Sequence, residues 1–311
     1  MQPSIRLGIG FACAAAMACA AGPVDFGTAE LNAAVASRNF RYKPKFDWEI
    51  NLEQPETFRI APYSAGGGRI SGGDLRGLMY GLLEAAEQIR ALGHLKPAHG
   101  VPAAAPRGVW LAADPAASWL QSEESWRRIF EAMARDRFDR LQLIFDRLPN
   151  AALLHMISQM GSQYAVDVVL GLKTLPEDFA PALEALLAKC PAIHTVALEP
   201  GDNDLSEIHQ QMLGVLAKAG RRVVLETPGG LRRLDSAEAQ AGEERIRANA
   251  LIGPFEIAAP RNERGEPELG GIALWGRLGF DPKPEPAKPA AAKAVPAKAA
   301  KAAARPRVAA P

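Results

Sequence analysis

The sequence has little cysteine and little histidine, and the spacing of these residues matches neither a disulfide framework nor a metal site. Three of its 311 residues are cysteine, and Cys13 and Cys19 fall within the first twenty positions. Cys190 is then left alone, so the remaining chain is expected to fold without an intrachain disulfide. The five histidines show no metal-binding spacing, which predicts no metal centre. No G-x-S-x-G elbow or phosphate-binding loop occurs, and no cofactor is predicted.

A strong charge of one sign is also absent. Lys and Arg number 36 and Asp and Glu 35, which gives a net charge of +1. This balance leaves no overall field that would attract nucleic acid, so no nucleic-acid partner is expected. Hydrophobic residues make up 48% of the chain, which is typical of a globular protein, and the length indicates about two domains.

Residues 1–21 have the pattern of a signal peptide. Arg6 precedes an apolar stretch that ends in Ala18-Cys19-Ala20, small residues of the kind found at a cleavage site. The stretch is too short for a permanent transmembrane helix. The sequence therefore predicts an exported protein, periplasmic or secreted, and a lipoprotein anchored through Cys19 is the alternative.

The other end of the chain, residues 282–311, consists almost entirely of alanine, lysine and proline. It offers almost nothing to a hydrophobic core, and its prolines interrupt any helix. We expect a disordered, cationic tail that acts as a solvated spacer, with contact to an acidic cell envelope as the alternative.

Residues 24–104 are predicted to form a small α/β domain. Residues 56–62 read as a strand, and the apolar spacing over 78–89 predicts a helix. Gly77 and Gly81 lie four residues apart on that helix, which indicates that the helix packs closely on a sheet.

Residues 106–280 show a repeating strand–helix pattern. Five apolar runs recur about every thirty residues, the size of one βα unit, and a weaker sixth lies near 251–257. Apolar strands alternating with amphipathic helices are typical of a parallel sheet. A complete eight-stranded barrel needs about 250 residues, so the fold class predicted here is α/β with an incomplete (β/α) barrel of about five or six units. The five runs are 107–111, 140–145, 165–172, 193–198 and 222–225.

Ligands of parallel sheets bind beyond the carboxyl ends of the strands, where acidic residues collect in this sequence. Glu199 and Asp202 follow the fourth run, and Glu226 follows the fifth. Hydrolysis of a glycosidic bond needs two carboxyl groups that flank the bond. The three residues are therefore the catalytic candidates, although a turn-shaping role before the next helix is the favoured explanation of Asp202.

Further side chains near the strand ends are candidates for substrate binding. Asp146 and Arg147 follow the second run and Lys173 the third, and each could hydrogen-bond to sugar hydroxyls. Trp110 and Trp275 could stack on sugar rings. The predicted partner is an oligo- or polysaccharide.

Four stretches of the sequence resemble known glycosidases. Ile70, the run GGDLRGLMYGLLE at 72–84 and RGVW at 107–110 together resemble the small α/β domain and the first barrel strand of alpha-glucuronidases and beta-N-acetylhexosaminidases. The run SWRRIFEAMARDRFDRLQLIF at 125–145 is similar to the first barrel helix and second strand of alpha-glucuronidase-like proteins. LWGRLGFDP at 274–282 resembles a late barrel segment of the same proteins.

The resemblance implies a glycoside-hydrolase-like protein that hydrolyses glycosidic bonds, with Glu199 matching the general acid. It gives no clear counterpart for the base, for which the strand ends themselves offer Glu226 or Asp202. Hexosaminidases end the fourth strand in an adjacent Asp-Glu pair, whereas this chain reads Leu-Glu-Pro-Gly-Asp at 198–202. The alternative is a catalytically inactive carbohydrate-binding or envelope scaffold protein derived from such an enzyme.

Overall fold

The computed structural model describes residues 22–64, 66–175, 179–199, 205–218, 224–226, 232–234, 254–278, 280 and 282–283. The predicted signal peptide, nearly all of the predicted tail, and Asp202 lie outside these ranges. Within them, no helix has both the length and the apolar character needed to cross a bilayer.

The described ranges contain seven α-helices, several of which begin at a side-chain cap. The side chain of Asp74 accepts a hydrogen bond from Gly77 N at the start of α2, and those of Ser122 and Asn150 do the same for α3 and α4. The helices are α1 (Pro23–Ala36), α2 (Leu75–Leu92), α3 (Glu123–Arg135), α4 (Ala151–Gln163), α5 (Phe179–Lys189), α6 (Leu205–Lys218) and α7 (Ala273–Leu278).

Twelve strands in the same ranges form two sheets, ordered β1-β3-β2-β4-β12 and β10-β11-β5-β6-β7-β8-β9. The strands of the first sheet are β1 (Lys45–Ile50), β2 (Phe58–Pro62), β3 (Gly67–Gly72), β4 (Ala98–Gly100) and β12 (Pro282–Lys283). Those of the second are β5 (Arg107–Ala112), β6 (Arg140–Phe145), β7 (Asp167–Leu172), β8 (Thr195–Leu198), β9 (Val224–Glu226), β10 (Arg232–Leu234) and β11 (Phe255–Ala258).

Helix α2 lies very close to the first sheet because two of its residues have no side chain. A Cβ atom on Gly77 would come within 2.3 Å of the Thr57 carbonyl oxygen, and one on Gly81 within 2.8 Å of Ile70 Cγ2. The close packing expected from this glycine pair is therefore confirmed. Phe280, which follows α7, also packs on this sheet, where its ring stacks on that of Phe58.

All neighbouring strands of the second sheet run parallel. Alternate residues, such as Val109, Leu143 and Val168, are buried in the core that includes the helices. The five predicted runs and the weaker sixth all correspond to strands, so the predicted α/β fold is confirmed. The short strand β10 was not predicted.

The second sheet curls into a partial barrel. Strand β10 lies five strand spacings from β8 in the sheet order, a separation of roughly 24 Å if the sheet were flat. Arg233 on β10 nevertheless forms an ion pair with Glu199 at the end of β8. Such a contact requires the sheet to bend back on itself, so that side chains of distant strands meet inside.

An ion-pair cluster joins the segment around the first sheet and α2 to the amino-terminal end of the barrel. Arg107 Nη2 lies 2.7 Å from Glu56 Oε2 and 2.9 Å from Asp139 Oδ2, and Arg76 Nη1 lies 2.7 Å from Glu56 Oε1. Arg107 is fully buried. Burial raises the pKa of Asp139 to about 6, against the opposing effect of the Arg107 guanidinium. A cleft of about 380 Å³ lies beside this cluster.

Replacing Gly77 with alanine should destabilise the protein. The new methyl group would collide with backbone at Thr57, and overpacking of this kind costs about 1–3 kcal/mol. Gly214 in α6 is the matched control, because a Cβ atom there meets nothing within 4 Å. Gly214→Ala should instead stabilise the helix by about 0.5–1 kcal/mol. Urea unfolding measures both, and equal effects would contradict the packing described for α2.

Asp139→Asn should change stability in a pH-dependent way. The folded state keeps a proton on Asp139 between the ordinary pKa of 3.8 and about 6, so its contribution to stability falls as pH rises through that window. Asparagine stays neutral throughout. The stability advantage of the wild type over the variant should therefore shrink between pH 4 and pH 7, by at most about 3 kcal/mol.

Unfolding free energies at pH 4, 5, 6 and 7 check this expectation. Asp146→Asn is the control, because the side chain of Asp146 is 82% exposed. If the unfolding free energies of the wild type and Asp139→Asn changed with pH in the same way, the expectation would be contradicted.

Candidate functional site

The concave face of the partial barrel carries a cluster of polar side chains, unlike the face that packs on the helices. Alternation along the strands places Trp110, Gln142 and Glu256 on this inner face, together with Arg140 and Arg233. A Cβ atom on the inward-facing Gly108 would lie 2.7 Å from Glu256 Cγ, so a glycine there makes room for the carboxylate.

Glu199 follows β8 directly and is only 7% exposed. Its Oε1 accepts hydrogen bonds from Gln142 Nε2 at 2.6 Å and Arg233 Nη2 at 2.7 Å. Its Oε2 accepts from Arg233 Nη1. The Arg233 guanidinium therefore donates to both carboxylate oxygens and forms a bidentate ion pair.

Glu256 on β11 is fully buried and lies between two guanidinium groups. Arg140 Nε donates to its Oε1 at 2.6 Å, and Arg233 Nε donates to its Oε2 at 3.3 Å. Burial raises the pKa of Glu256, and the two arginines oppose that shift. The hydrogen bond to Glu199 raises the pKa of Arg233. Arg233 thus bridges two carboxylates from different strands.

Two polar atoms of the inner face are buried without a hydrogen-bond partner in the described part of the chain, Trp110 Nε1 and Gln142 Oε1. Trp110 and Gln142 face each other in the register of β5 and β6. The guanidinium carbon of Arg233 lies 6.0 Å from the centroid of the Trp110 ring. An unused donor and an unused acceptor therefore lie beside the Glu199–Arg233 pair.

Three further predicted residues lie at the carboxyl ends of β6 and β7. Lys173 Nζ and Asp146 Oδ1 are 3.3 Å apart, and both side chains are largely exposed. Arg147 is exposed next to Asp146. These residues form a solvated rim outside the buried network.

Trp275 is not assembled with this group. Trp275 on α7 is fully buried, with its ring 5.5 Å from that of Phe255, so no face is available to a sugar. Glu226 pairs in register with Ala197 on the neighbouring strand, but its side chain lies outside the described residues. Among the described side chains, no three of the types that bind metals gather in one place.

Sequence reasoning missed four members of the network, Arg140, Gln142, Arg233 and Glu256. A signal was present for two of them, because Arg140 and Gln142 interrupt the otherwise apolar RLQLIF run at alternate positions. Polar residues two apart in a buried strand indicate a polar inner face. Arg233 and Glu256 gave no comparable signal, since their strands are short.

No known protein family matches the sequence, and no curated protein sequence matches it. Several solved structures, however, are similar to this chain in fold. The chain is similar to a GH138 enzyme targeting pectin rhamnogalacturonan II, with a TM-score of 0.62 and 12% identity over 83% of this chain and 62% of that one. It is also similar to a GH115 4-O-methyl-alpha-glucuronidase with specificity for decorated arabinogalactans, with a TM-score of 0.53 and 12% identity over 84% and 55% of the two chains.

A GH20 beta-N-acetylglucosaminidase is also found, with a TM-score of 0.47 and 15% identity over 74% of this chain and 68% of that one. The chain spans about three-fifths of the length of the first two structures. At these identities the likeness shows the fold alone. The chain has a glycoside-hydrolase-like fold.

Arg233→Met should destabilise the protein, because it leaves Glu199 and Glu256 without a shared partner. Breaking a buried ion pair costs about 3–5 kcal/mol. We expect roughly 3 kcal/mol, since the Arg233 side chain is 28% exposed. Arg147→Met is the control and should change the unfolding free energy by no more than about 0.5 kcal/mol. Urea unfolding checks both, and equal losses would contradict a structural role for Arg233.

Proposed function

We propose that the protein binds carbohydrate at the carboxyl ends of its barrel strands and does not hydrolyse it. The glycoside-hydrolase-like fold supports carbohydrate as the ligand class, because solved structures of this fold include enzymes that act on pectin and on arabinogalactans. The inner face supports recognition, since hydrogen-bonding groups converge there beside an aromatic ring. Sites of this type bind sugars through such groups.

The bidentate hydrogen bonding of Arg233 to Glu199 is the observation that best supports the non-hydrolytic proposal. A general acid must give a proton to the glycosidic oxygen. Both oxygens of Glu199 already accept hydrogen bonds from the described residues. Glu199 would therefore have to leave the ion pair before it could deliver a proton. Glu256 is no substitute, because it is fully buried between Arg140 and Arg233.

Hydrolysis is the second candidate function, and one observation favours it. Glu199 and Glu226 both stand at the carboxyl ends of adjacent parallel strands, because Glu226 pairs with Ala197, two residues before Glu199. Glycosidases place their two carboxylates in this region of a barrel. In this alternative Glu199 takes part in the reaction with Glu226 or Asp202.

Glu199→Gln separates the two candidates. If the protein only binds, the wild type and the variant should both fail to release the chromophore from aryl glycosides at high protein concentration. Glycan binding should weaken less than about tenfold, because glutamine keeps one acceptor oxygen beside Gln142. Glycan-array binding and calorimetry measure the affinity. Asp146→Asn on the exposed rim is the matched acid-to-amide control.

Turnover by the wild type that is lost in Glu199→Gln would refute the non-hydrolytic proposal. Turnover that is unchanged in the variant would refute it too, and would remove Glu199 from the mechanism. Absence of binding to any carbohydrate would refute both candidate functions.

A further inference from the structure

The charged groups that the structure describes on the inner face are paired with one another. Among these side chains, Arg140 and Arg233 carry two positive charges, and Glu199 and Glu256 carry two negative ones. Each of the three nitrogen atoms of Arg233 donates to one of these carboxylates. A negatively charged ligand entering beside them would meet two buried carboxylates, with the Arg233 nitrogens engaged. Placing an unpaired charge in such surroundings is costly.

Two buried polar atoms of the described inner face have no hydrogen-bond partner, and both belong to uncharged side chains. Gln142 is fully buried, and its Oε1 has no partner among the described residues because its Nε2 faces Glu199. Trp110 Nε1 is a buried donor without a partner in the same ranges. A buried polar group without a partner is costly, so such groups usually meet a ligand or an ordered water.

We infer that Trp110 and Gln142 form a subsite for one hydroxyl group of a neutral sugar, and that the site discriminates against uronic acids. This inference rests on the proposed carbohydrate binding. A hydroxyl group is both a donor and an acceptor, so one sugar oxygen can accept from Trp110 Nε1 and donate to Gln142 Oε1. The two residues pair directly across β5 and β6, which places their side chains next to each other on the inner face.

Paired glycans test the discrimination. Affinities of the full-length protein are measured for oligosaccharides that end in glucose or galactose and for the same oligosaccharides ending in glucuronate or galacturonate. The neutral member of each pair should bind at least about tenfold more tightly, because the acidic member adds a charge without a partner. Equal affinity for the two members, or tighter binding of the uronates, would overturn the inference.

A double-mutant cycle tests the two residues. Trp110→Phe keeps an aromatic ring and removes the donor, and Gln142→Met removes the amide with little change in volume. Each variant should bind a neutral glycan about five- to tenfold more weakly. If a single hydroxyl contacts both residues, the double variant should lose little more than either single variant. Trp48→Phe is the control, because Trp48 is an exposed residue on β1 of the first sheet.

Thermal unfolding of each variant shows whether the fold is kept. Unchanged affinity in a folded Trp110→Phe protein would mean that the donor meets only water, and would overturn the subsite. Fully additive losses would also overturn the sharing of one hydroxyl. Failure of the wild type to bind any glycan is a different result, because it refutes the proposed function itself.

Discussion

The contact that Arg233 makes across the barrel is the interaction on which the rest of the structure depends. It joins β10, at one edge of the seven-stranded sheet, to Glu199 beyond β8 near the other edge. It also holds Glu256 on β11. A flat sheet could not bring these groups together, so the curl of the sheet and the burial of the charges require each other.

The same contact limits what the site can do. Carboxylates at the ends of barrel strands suggest glycoside hydrolysis, and the position of Glu199 fits that expectation. The hydrogen-bond partners of Glu199 do not fit it, because the Arg233 guanidinium group donates to both oxygens of the Glu199 carboxylate. The polar groups left over, on Trp110 and Gln142, are suited to hydrogen-bonding a ligand. The glycoside-hydrolase-like fold thus holds Glu199 in an ion pair, and the non-hydrolytic binding of sugars that we propose rests on this pairing.

Much of the fold could be predicted because it depends on local patterns. The apolar run at 140–145 and the apolar stripe of α3 are both patterns of residues that are close together in the sequence. The strand β10 could not be predicted in this way. It has three residues, two of them arginine, and it becomes a strand because it pairs with β11, more than twenty residues further along.

The candidate site was predictable only in part for the same reason. Glu199, Asp146 and Lys173 follow strands, and that position alone marked them. Whether a carboxylate is free or paired depends on which strand curls to meet it, and this is set by tertiary structure. The burial of Trp275 against Phe255 is likewise a tertiary contact between β11 and α7, which a tryptophan in a short helix does not reveal.

The coupling energy between Arg233 and Glu199 tests the central claim most directly. It is obtained from the unfolding free energies of the wild type, Arg233→Met, Glu199→Gln and the double variant. If the pair holds the sheet in its curled form, the sum of the two single losses should exceed the loss in the double variant by about 1–3 kcal/mol. Additive losses, with a coupling energy near zero, would show that the two side chains do not meet and would contradict the account.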